Sequence, residues 1–164
     1  MSSDVVIRAA RADDVEFAFA MIVALAEYER APGSVVGTPE LLDEALFSER
    51  PTAEAVVAER DGQRIGWALF HSTFSTWECR PGIWLEDLFV LPEQRRGGTG
   101  EAVLRHLARI AVQRGCTRLE WVALDWNEPA LSFYEKHGAA VMPEWLQHRM
   151  DGTVLEEFAA GPDG

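Results

Sequence analysis

One segment constrains the fold more than any other: an apolar run, a loop of arginines and glycines, and then an amphipathic stretch. The run Ile83 to Leu91 predicts a strand, and the apolar positions that follow the loop recur at helical spacing, which predicts a helix over Glu101 to Arg114. Between them, "RRGGTG" holds three glycines. Glycine near a helix start is unfavourable unless the bare backbone is needed. We therefore expect a strand, loop and helix in which some group approaches the loop closely.

The loop has the composition of an anion site. The first amides of a helix have no intrahelical partner, and the helix dipole favours negative charge there. Phosphate oxygens satisfy both, and Gly97, Gly98 and Gly100 would let a diphosphate approach the backbone. Arg95 and Arg96 add charged donors. The loop therefore predicts a phosphate-bearing ligand.

Two common phosphate motifs fit this loop poorly. A P-loop has lysine and then serine or threonine after its last glycine, where Glu101 and Ala102 stand. A dinucleotide fingerprint needs a third glycine at Val103, and Glu120, the acidic residue that would follow it, lies near the start of a strand. A nucleotide-dependent enzyme and a plain flexible turn remain as alternatives.

Local signals elsewhere predict one α/β domain over residues 1–164 with a mostly antiparallel first half. Val5 to Ala9 reads as a strand, and "VEFAFAMIVALAEYE" as a helix. Thr38-Pro39 starts a second helix, which runs through Phe47, and Asp61-Gly62 joins two β-rich runs in a hairpin. Further along, "TRLEWVAL" predicts a strand, "NEPALSFYEKHG" a helix, "AAVMPEWLQHRM" one or two strands, and "VLEEFA" a last helical turn.

Charge and composition exclude several classes of protein. The formal charge of −12 argues against nucleic acid as a partner and is compatible with a small cationic substrate, although acidic surfaces also simply keep proteins soluble. No apolar run approaches the roughly 20 residues of a membrane span. The N-terminus lacks the pattern of a secretory signal, and Cys79 and Cys116 form no CxxC, so we expect a cytoplasmic protein. The four histidines are scattered, so we expect no metal.

The loop resembles the acetyl-CoA-binding motif of the GNAT superfamily of N-acetyltransferases, which reads Arg or Gln, two residues, Gly, one residue, Gly or Ala. Arg95, Gly98 and Gly100 occupy those positions. Relatives often have glycine directly after the arginine, where this chain has Arg96. The blocks "WLEDLFV", "GCTRLEW", "LDWNEPALSFYEKHGA" and "EWLQHRM" are similar to the diamine acetyltransferase branch, which includes spermidine/spermine and thialysine acetyltransferases.

The resemblance implies the GNAT fold, a single mixed sheet with an antiparallel N-terminal half and a splayed central parallel pair, flanked by helices. It also implies a homodimer that transfers acetyl from acetyl-CoA to a primary amine of a small cationic substrate by direct attack, through a tetrahedral intermediate. The residues expected to bind acetyl-CoA are Leu88, Phe89 and Val90 through their backbone, and Arg95, Arg96, Gly97, Gly98, Thr99, Gly100, Glu101, Asn127 and Tyr134.

The resemblance assigns catalytic roles to two residues. Tyr134 would donate a proton to the departing thiolate, although its position also suits aromatic packing. Glu86 would take the proton of the amine, and Asp87 and Trp77 would bind the cationic substrate. Because successive side chains of a strand alternate, Glu86 and Asp87 are expected on opposite faces. Asn127 matches an asparagine that contacts the cofactor and also suits a helix N-cap.

The preferred amine is less determined by the sequence. Polyamine-specific members carry an acidic residue where this chain has Ser75, and the "STW" triplet is more similar to the thialysine members. A shorter primary amine is therefore favoured over spermine. A non-catalytic acyl-CoA-binding regulator and a protein or peptide acetyltransferase remain as alternatives.

Overall fold

The central sheet forms where β-rich runs meet through short turns. The computed structural model describes residues 4–161. Its sheet has five strands in the order β1-β2-β3-β4-β5, in which β1 to β4 are antiparallel neighbours and β4 pairs with β5 in parallel. The strands are β1 (Val6–Ala9), β2 (Glu54–Arg60), β3 (Gln63–Ser75), β4 (Arg80–Val90) and β5 (Leu119–Glu120). This confirms the predicted mixed sheet.

The turn between β2 and β3 has the predicted chemistry. Asp61 and Gly62 adopt φ angles of +52° and +73°, the left-handed conformation that both central residues of a type I′ turn require. Aspartate and glycine tolerate this conformation better than other residues. The turn therefore sets the register in which Arg60 pairs with Gln63.

Helices cover both faces of the sheet. Helices α1 (Val15–Tyr28) and α2 (Pro39–Phe47) pack on one face, and α3 (Thr99–Gln113) packs on the other. Thr38 caps α2, since its Oγ1 accepts from the Leu41 amide at 3.3 Å. The buried cluster below α1 and α2 contains Val15, Ala18, Met21, Leu42, Leu46, Ala55, Trp67 and Phe89. Helix α3 contributes Val103, Leu104, Leu107 and Ala111 to the core.

A buried ion network connects β1 to β2 and β3. Asp14, only 1% exposed, accepts from Arg8 at 2.6 and 3.0 Å and from Arg64 at 2.6 Å. Burial by itself raises the pKa of Asp14, but the hydrogen bonds from Arg8, the Arg11 amide and Arg64 outweigh it and lower that pKa to about 2. Arg8 also bonds to Glu59 on β2. The network therefore locks the edge strand to the sheet.

The chain divides into two compact units with a boundary between Leu124 and Asp125. The second unit contains α4 (Glu128–Lys136) and α5 (Gly152–Ala160), so the helix predicted after "LDWN" is confirmed and the last helix is longer than predicted. The prediction of a single domain over residues 1–164 stays a prediction.

The expected C-terminal strands are wrong. Residues 139–151 form no strand, and "TRLEWVAL" supplies only Leu119–Glu120. A strand exists only where a neighbour takes up its backbone hydrogen bonds, and Pro143 lacks an amide to offer. The apolar residues Val141 and Leu146 are exposed, so the alternating pattern there is not matched by burial.

Candidate functional site

The sheet opens along β4. Parallel pairing between β4 and β5 covers only Ile83 with Leu119 and Trp84 with Glu120. Within the first unit, the described part of β4 beyond Trp84 pairs only with β3. The backbone of Leu88, Phe89 and Val90 therefore has β3 on one side and no strand of the first unit on the other, which agrees with the expected splayed parallel pair; we call this side the open edge.

A β-bulge interrupts β4 at Glu86. Asp87 pairs with Leu69, and Leu85 pairs with the next residue of β3, Phe70, so Glu86 is the extra residue. A bulge breaks the alternation of side chains, because two residues of one strand then oppose one residue of the other. The expectation that Glu86 and Asp87 lie on opposite faces assumed an unbroken strand.

Both carboxylates lie on the α1 side of the sheet, which corrects that expectation. Leu69 packs against the cluster below α1 and α2, and its cross-strand partner Asp87 shares its face. Trp84 pairs with His71, two residues beyond Leu69 and therefore on the same face. The Trp84 indole Nε1 donates to Glu86 Oε2 at 2.8 Å, which holds Glu86 there too.

A third carboxylate completes the group. Burial, together with the smaller effects of the charges of Glu86 and Glu29, raises the pKa of Asp87 to about 6. Glu29 is the C-cap of α1, and burial raises its pKa as well. We call Glu29, Glu86 and Asp87 the acid cluster. Sequence reasoning missed Glu29, because nothing local relates it to residues almost sixty positions away.

The Arg95 side chain lies against β4 and the end of α1, and its contact with the cofactor stays a prediction. Its Nε donates to the Val90 carbonyl at 3.0 Å. Its guanidinium carbon lies 5.1 Å from the ring centroid of Tyr28 and 4.9 Å from that of Phe89, within cation–π range of both. The arginine therefore joins the loop to the end of α1, one residue before Glu29.

Gly97 and Gly98 are glycines for two different reasons, a close contact at the first and a left-handed backbone at the second. At Gly97, an added Cβ would lie 3.0 Å from Nη2 of Arg60, so the group that approaches here is a guanidinium of the protein itself. At Gly98 such a Cβ would meet nothing within 4 Å, but its φ is +76°. Arg96 also has a left-handed φ, of +66°, which is strained for a residue with a side chain.

Helix α3 begins directly after the loop, with Gly98 as its N-cap. Its first backbone bond of the i→i−4 type runs from Ala102 to the Gly98 carbonyl at 2.9 Å, so the amides of Thr99, Gly100 and Glu101 precede it. These amides and the positive end of the dipole suit an anion. The Glu101 side chain instead pairs with Arg105, one turn along the helix.

Trp77 lies at the tip of the β3–β4 hairpin and is 85% exposed. Arg80, where the paired part of β4 begins, is seven residues from Asp87, roughly 20 Å along a strand. The structure therefore does not bring Trp77 to the acid cluster of the same chain. Its role in amine binding stays a prediction.

Asn127 and Tyr134 belong to the second unit. Asn127 caps α4, since its Oδ1 accepts from the Ala130 amide at 3.4 Å, which confirms the expected N-cap. Tyr134 lies on α4, where its ring packs edge-on against Phe133 with centroids 5.4 Å apart. The cofactor contacts expected of both residues and the acid role of Tyr134 stay predictions.

Two further features concern the described residues as a whole. Between residues 4 and 161, no group of three or more histidine, cysteine or acidic side chains is arranged to hold a metal ion. Over the same stretch, every helix is too short or too polar to cross a membrane.

The open edge of β4, followed by a glycine loop and a helix, is the arrangement expected of an acyl-CoA-binding fold, and the sequence agrees. Residues 22–139 match the acetyltransferase (GNAT) family. The chain belongs to this family and is an N-acetyltransferase. An integron cassette protein from the mobile metagenome of V. cholerae has the same fold, with a TM-score of 0.79, 27% identity, and coverage of 97% of this chain and 98% of that one.

The curated relatives confirm the resemblance to the diamine branch. The thialysine N-epsilon-acetyltransferase of Sus scrofa is 33% identical and the match covers 96% of this chain and 98% of that protein. The Caenorhabditis elegans protein of the same name is also 33% identical, with 90% and 92% covered. The spermidine/spermine N(1)-acetyltransferase-like protein 1 of Homo sapiens is 26% identical over 93% of this chain and 23% of that protein.

Proposed function

We propose that this enzyme transfers the acetyl group of acetyl-CoA to a primary amine of a small cationic substrate, such as thialysine or a short diamine. The observation that carries the proposal is the acid cluster, three carboxylates on one face of the sheet directly beside the open edge of β4. Relatives of similar length act, by their names, on thialysine, which supports this substrate class.

The acid cluster supplies what a cationic amine needs. The charges of Glu86 and Glu29 help to raise the pKa of Asp87, and an ammonium group beside these carboxylates relieves that repulsion. Asp87 and Glu29 bind the ammonium that does not react. Glu86 takes the proton of the reacting ammonium, directly or through a water, since an ordinary ammonium with a pKa near 10.4 cannot attack.

The donor side uses the backbone of β4 and the loop after it. The open edge at Leu88, Phe89 and Val90 pairs with the amides of the pantetheine arm, as a missing strand would. The diphosphate is held by the loop from Arg95 to Glu101, where the first amides of α3 precede its i→i−4 hydrogen bonds. Asn127 adds a further contact to the cofactor.

The chemistry then needs few protein groups. The neutral amine nitrogen bonds to the thioester carbon, and an amide of the open edge donates to the oxyanion of the tetrahedral intermediate. The carbon–sulfur bond breaks as the carbonyl re-forms. Tyr134 gives its proton to the departing thiolate and regains one from the ammonium of the intermediate through solvent. The products are the N-acetylated amine and CoA.

Release of the CoA thiol with a panel of amines tests the proposal. We expect turnover with thialysine, ornithine and short diamines, and weaker turnover with spermine, because Ser75 replaces an acidic residue of polyamine-specific members. Turnover of peptides alone would instead support a peptide acetyltransferase. Tight CoA binding with no turnover of any amine would support the non-catalytic regulator.

The acid role of Tyr134 has its own test. Tyr134→Phe keeps the ring and removes the phenol, so we expect kcat to fall by roughly 10²-fold with the KM of the amine unchanged. Full turnover by this variant would remove Tyr134 from the mechanism.

The family resemblance also leads us to propose a cytoplasmic homodimer. Cys79 is an exposed free thiol, which suits a reducing compartment. Light scattering should give a mass near twice 18.3 kDa, and a mass of one chain would overturn the dimer.

A further inference from the structure

We propose that Arg60 is a positioning residue that shapes the Gln94–Thr99 loop for a diphosphate. Arg60 ends β2, just before the hairpin turn, and lies more than thirty residues from the loop in sequence. The inference deepens the proposed function and rests on it, because it concerns the loop that holds the donor.

The Arg60 guanidinium contacts the loop at three points. Its Nη1 donates to Gln94 Oε1 at 2.6 Å. Its Nη2 lies 3.4 Å from both the Gly97 carbonyl and the Thr99 hydroxyl. Thr99 is almost fully buried, and its hydroxyl also lies 3.5 Å from the Gln94 carbonyl. One side chain therefore spans the start, the middle and the end of the loop.

The contact between Arg60 and the Gly97 carbonyl sets the direction of the Gly98 amide. In a trans peptide the carbonyl of one residue and the amide of the next point in opposite directions. Since the Gly97 carbonyl faces Arg60, the Gly98 amide points away from Arg60. Gly98 is also the N-cap of α3, so this amide directly precedes the amides of the first helical turn. Arg60 thereby orients the first donor of the proposed diphosphate site.

The same contact explains why residue 97 is glycine. An added Cβ there would lie 3.0 Å from Arg60 Nη2 and 3.5 Å from Nη1, so a side chain and the guanidinium compete for one space. Gly97 and Arg60 are thus a matched pair.

The contribution of Arg60 to folding stability does not by itself explain why a guanidinium lies behind the loop. Arg60 Nε is buried and has no hydrogen-bond partner among residues 4–161. A buried donor without a partner is unfavourable, and a hydrocarbon chain of similar length would avoid it. The arrangement is consistent with a residue kept for the shape and charge it gives the loop.

Calorimetry and kinetics on Arg60→Met test the proposal. We expect the Kd of CoA and the KM of acetyl-CoA to rise about tenfold, the loss of roughly one charged hydrogen bond. The kcat and the KM of the amine should stay within about twofold. S-acetylpantetheine, which lacks the diphosphate, should serve wild type and variant equally well. If Arg60→Met instead disrupted the whole fold, turnover of S-acetylpantetheine would fall as well.

Two further variants separate position from charge. Arg114→Gln removes the same charge from an arginine that pairs with Glu54 at the other end of β2, and should leave the Kd of CoA unchanged. Arg60→Lys keeps the charge but cannot span Gln94, Gly97 and Thr99, so it should bind CoA almost as poorly as Arg60→Met. Full rescue by lysine would show that only charge matters and would overturn the positioning role.

The matched pair provides an independent measurement if Arg60→Met folds poorly. Gly97→Ala should raise the Kd of CoA in the wild-type background and add little in the Arg60→Lys background, since the two changes disturb one contact. If the effects of Gly97→Ala and Arg60→Lys on the free energy of CoA binding simply add, the inference is contradicted. A wild-type protein that binds no CoA would overturn the proposed function, whereas equal binding by wild type and Arg60→Met would overturn the role of Arg60 alone.

Discussion

The carboxylates of Glu86 and Asp87, adjacent in sequence, lie on the same face of the sheet because a β-bulge at Glu86 breaks the alternation of β4. Without the bulge, one of them would face α3 and the other α1. The bulge lies beyond Trp84, the last residue of β4 that pairs with β5. Glu86 and Asp87 are therefore next to the open edge of β4. Bulges commonly occur where a strand must re-aim a side chain near a functional site.

The acid cluster should lower stability. Burial and two neighbouring charges raise the pKa of Asp87 from 3.8 to about 6, so the folded protein binds more protons than the unfolded chain between about pH 4 and 6. Stability from this group is then present at low pH and is lost as pH rises through 6. Asp87→Asn should therefore stabilise the protein by about 1–3 kcal/mol at pH 8 and have little effect at pH 4, in urea unfolding.

The matched control for this variant is Asp43→Asn, which removes the same charge from an exposed position on α2. We expect it to change the unfolding free energy by less than about 0.5 kcal/mol at both pH values. A loss of stability in Asp87→Asn at pH 8 would contradict the unfavourable environment of Asp87.

The same pKa predicts how amine binding depends on pH. Only the ionised carboxylate attracts an ammonium, and at pH 5 about a tenth of Asp87 is ionised if its pKa is near 6. The Kd of a short diamine, measured by calorimetry without acetyl donor, should rise about tenfold from pH 8 to pH 5. Asp87→Asn should bind weakly at both values. An unchanged Kd in the wild type over this range would remove Asp87 from the amine site.

Backbone strain at Arg96 should be relieved by glycine. Arg96 has a φ of +66°, a conformation that is unfavourable by roughly 1–2 kcal/mol for residues with a Cβ. Allowing for the greater freedom of glycine in the unfolded chain, Arg96→Gly should raise the unfolding free energy by about 0.5–1 kcal/mol. Arg96→Ala removes the same charge but keeps the Cβ. If alanine stabilises as much as glycine, charge rather than strain explains the gain.

The buried network at Asp14 should dominate acid stability. Its pKa is lowered from 3.8 to about 2, so its contribution is complete above about pH 4 and is lost as pH falls toward 2. Asp14→Asn leaves Arg8 and Arg64 partly unpaired and should destabilise the protein by about 3 kcal/mol at pH 7 in urea unfolding.

Its neighbour Asp13 is the control, since its side chain is exposed and pairs with Arg64 at 3.1 Å. Asp13→Asn should change stability by less than about 1 kcal/mol. Similar losses in the two variants would mean that burial of Asp14 contributes nothing special.

Several elements could be predicted from short stretches of sequence alone. The hairpin at Asp61-Gly62, the start of α2 at Thr38-Pro39 and the glycine loop before α3 each depend on residues within a few positions of one another. The family could be recognised for the same reason, because its motif is local. The C-terminal strands were predicted wrongly, since a strand needs a hydrogen-bonding partner that a local pattern does not identify.

The amino-acid sequence by itself determined the type of most elements, the position of the loop and the class of chemistry, because turns, caps and helix periodicity are set by neighbours along the chain. Only the tertiary structure decided how the candidate site is arranged. It placed Glu29 beside Asp87, turned Glu86 to the same face and set Arg60 behind Gly97. These relationships depend on a one-residue register shift and on contacts between distant segments, and neither leaves a local signal in the sequence.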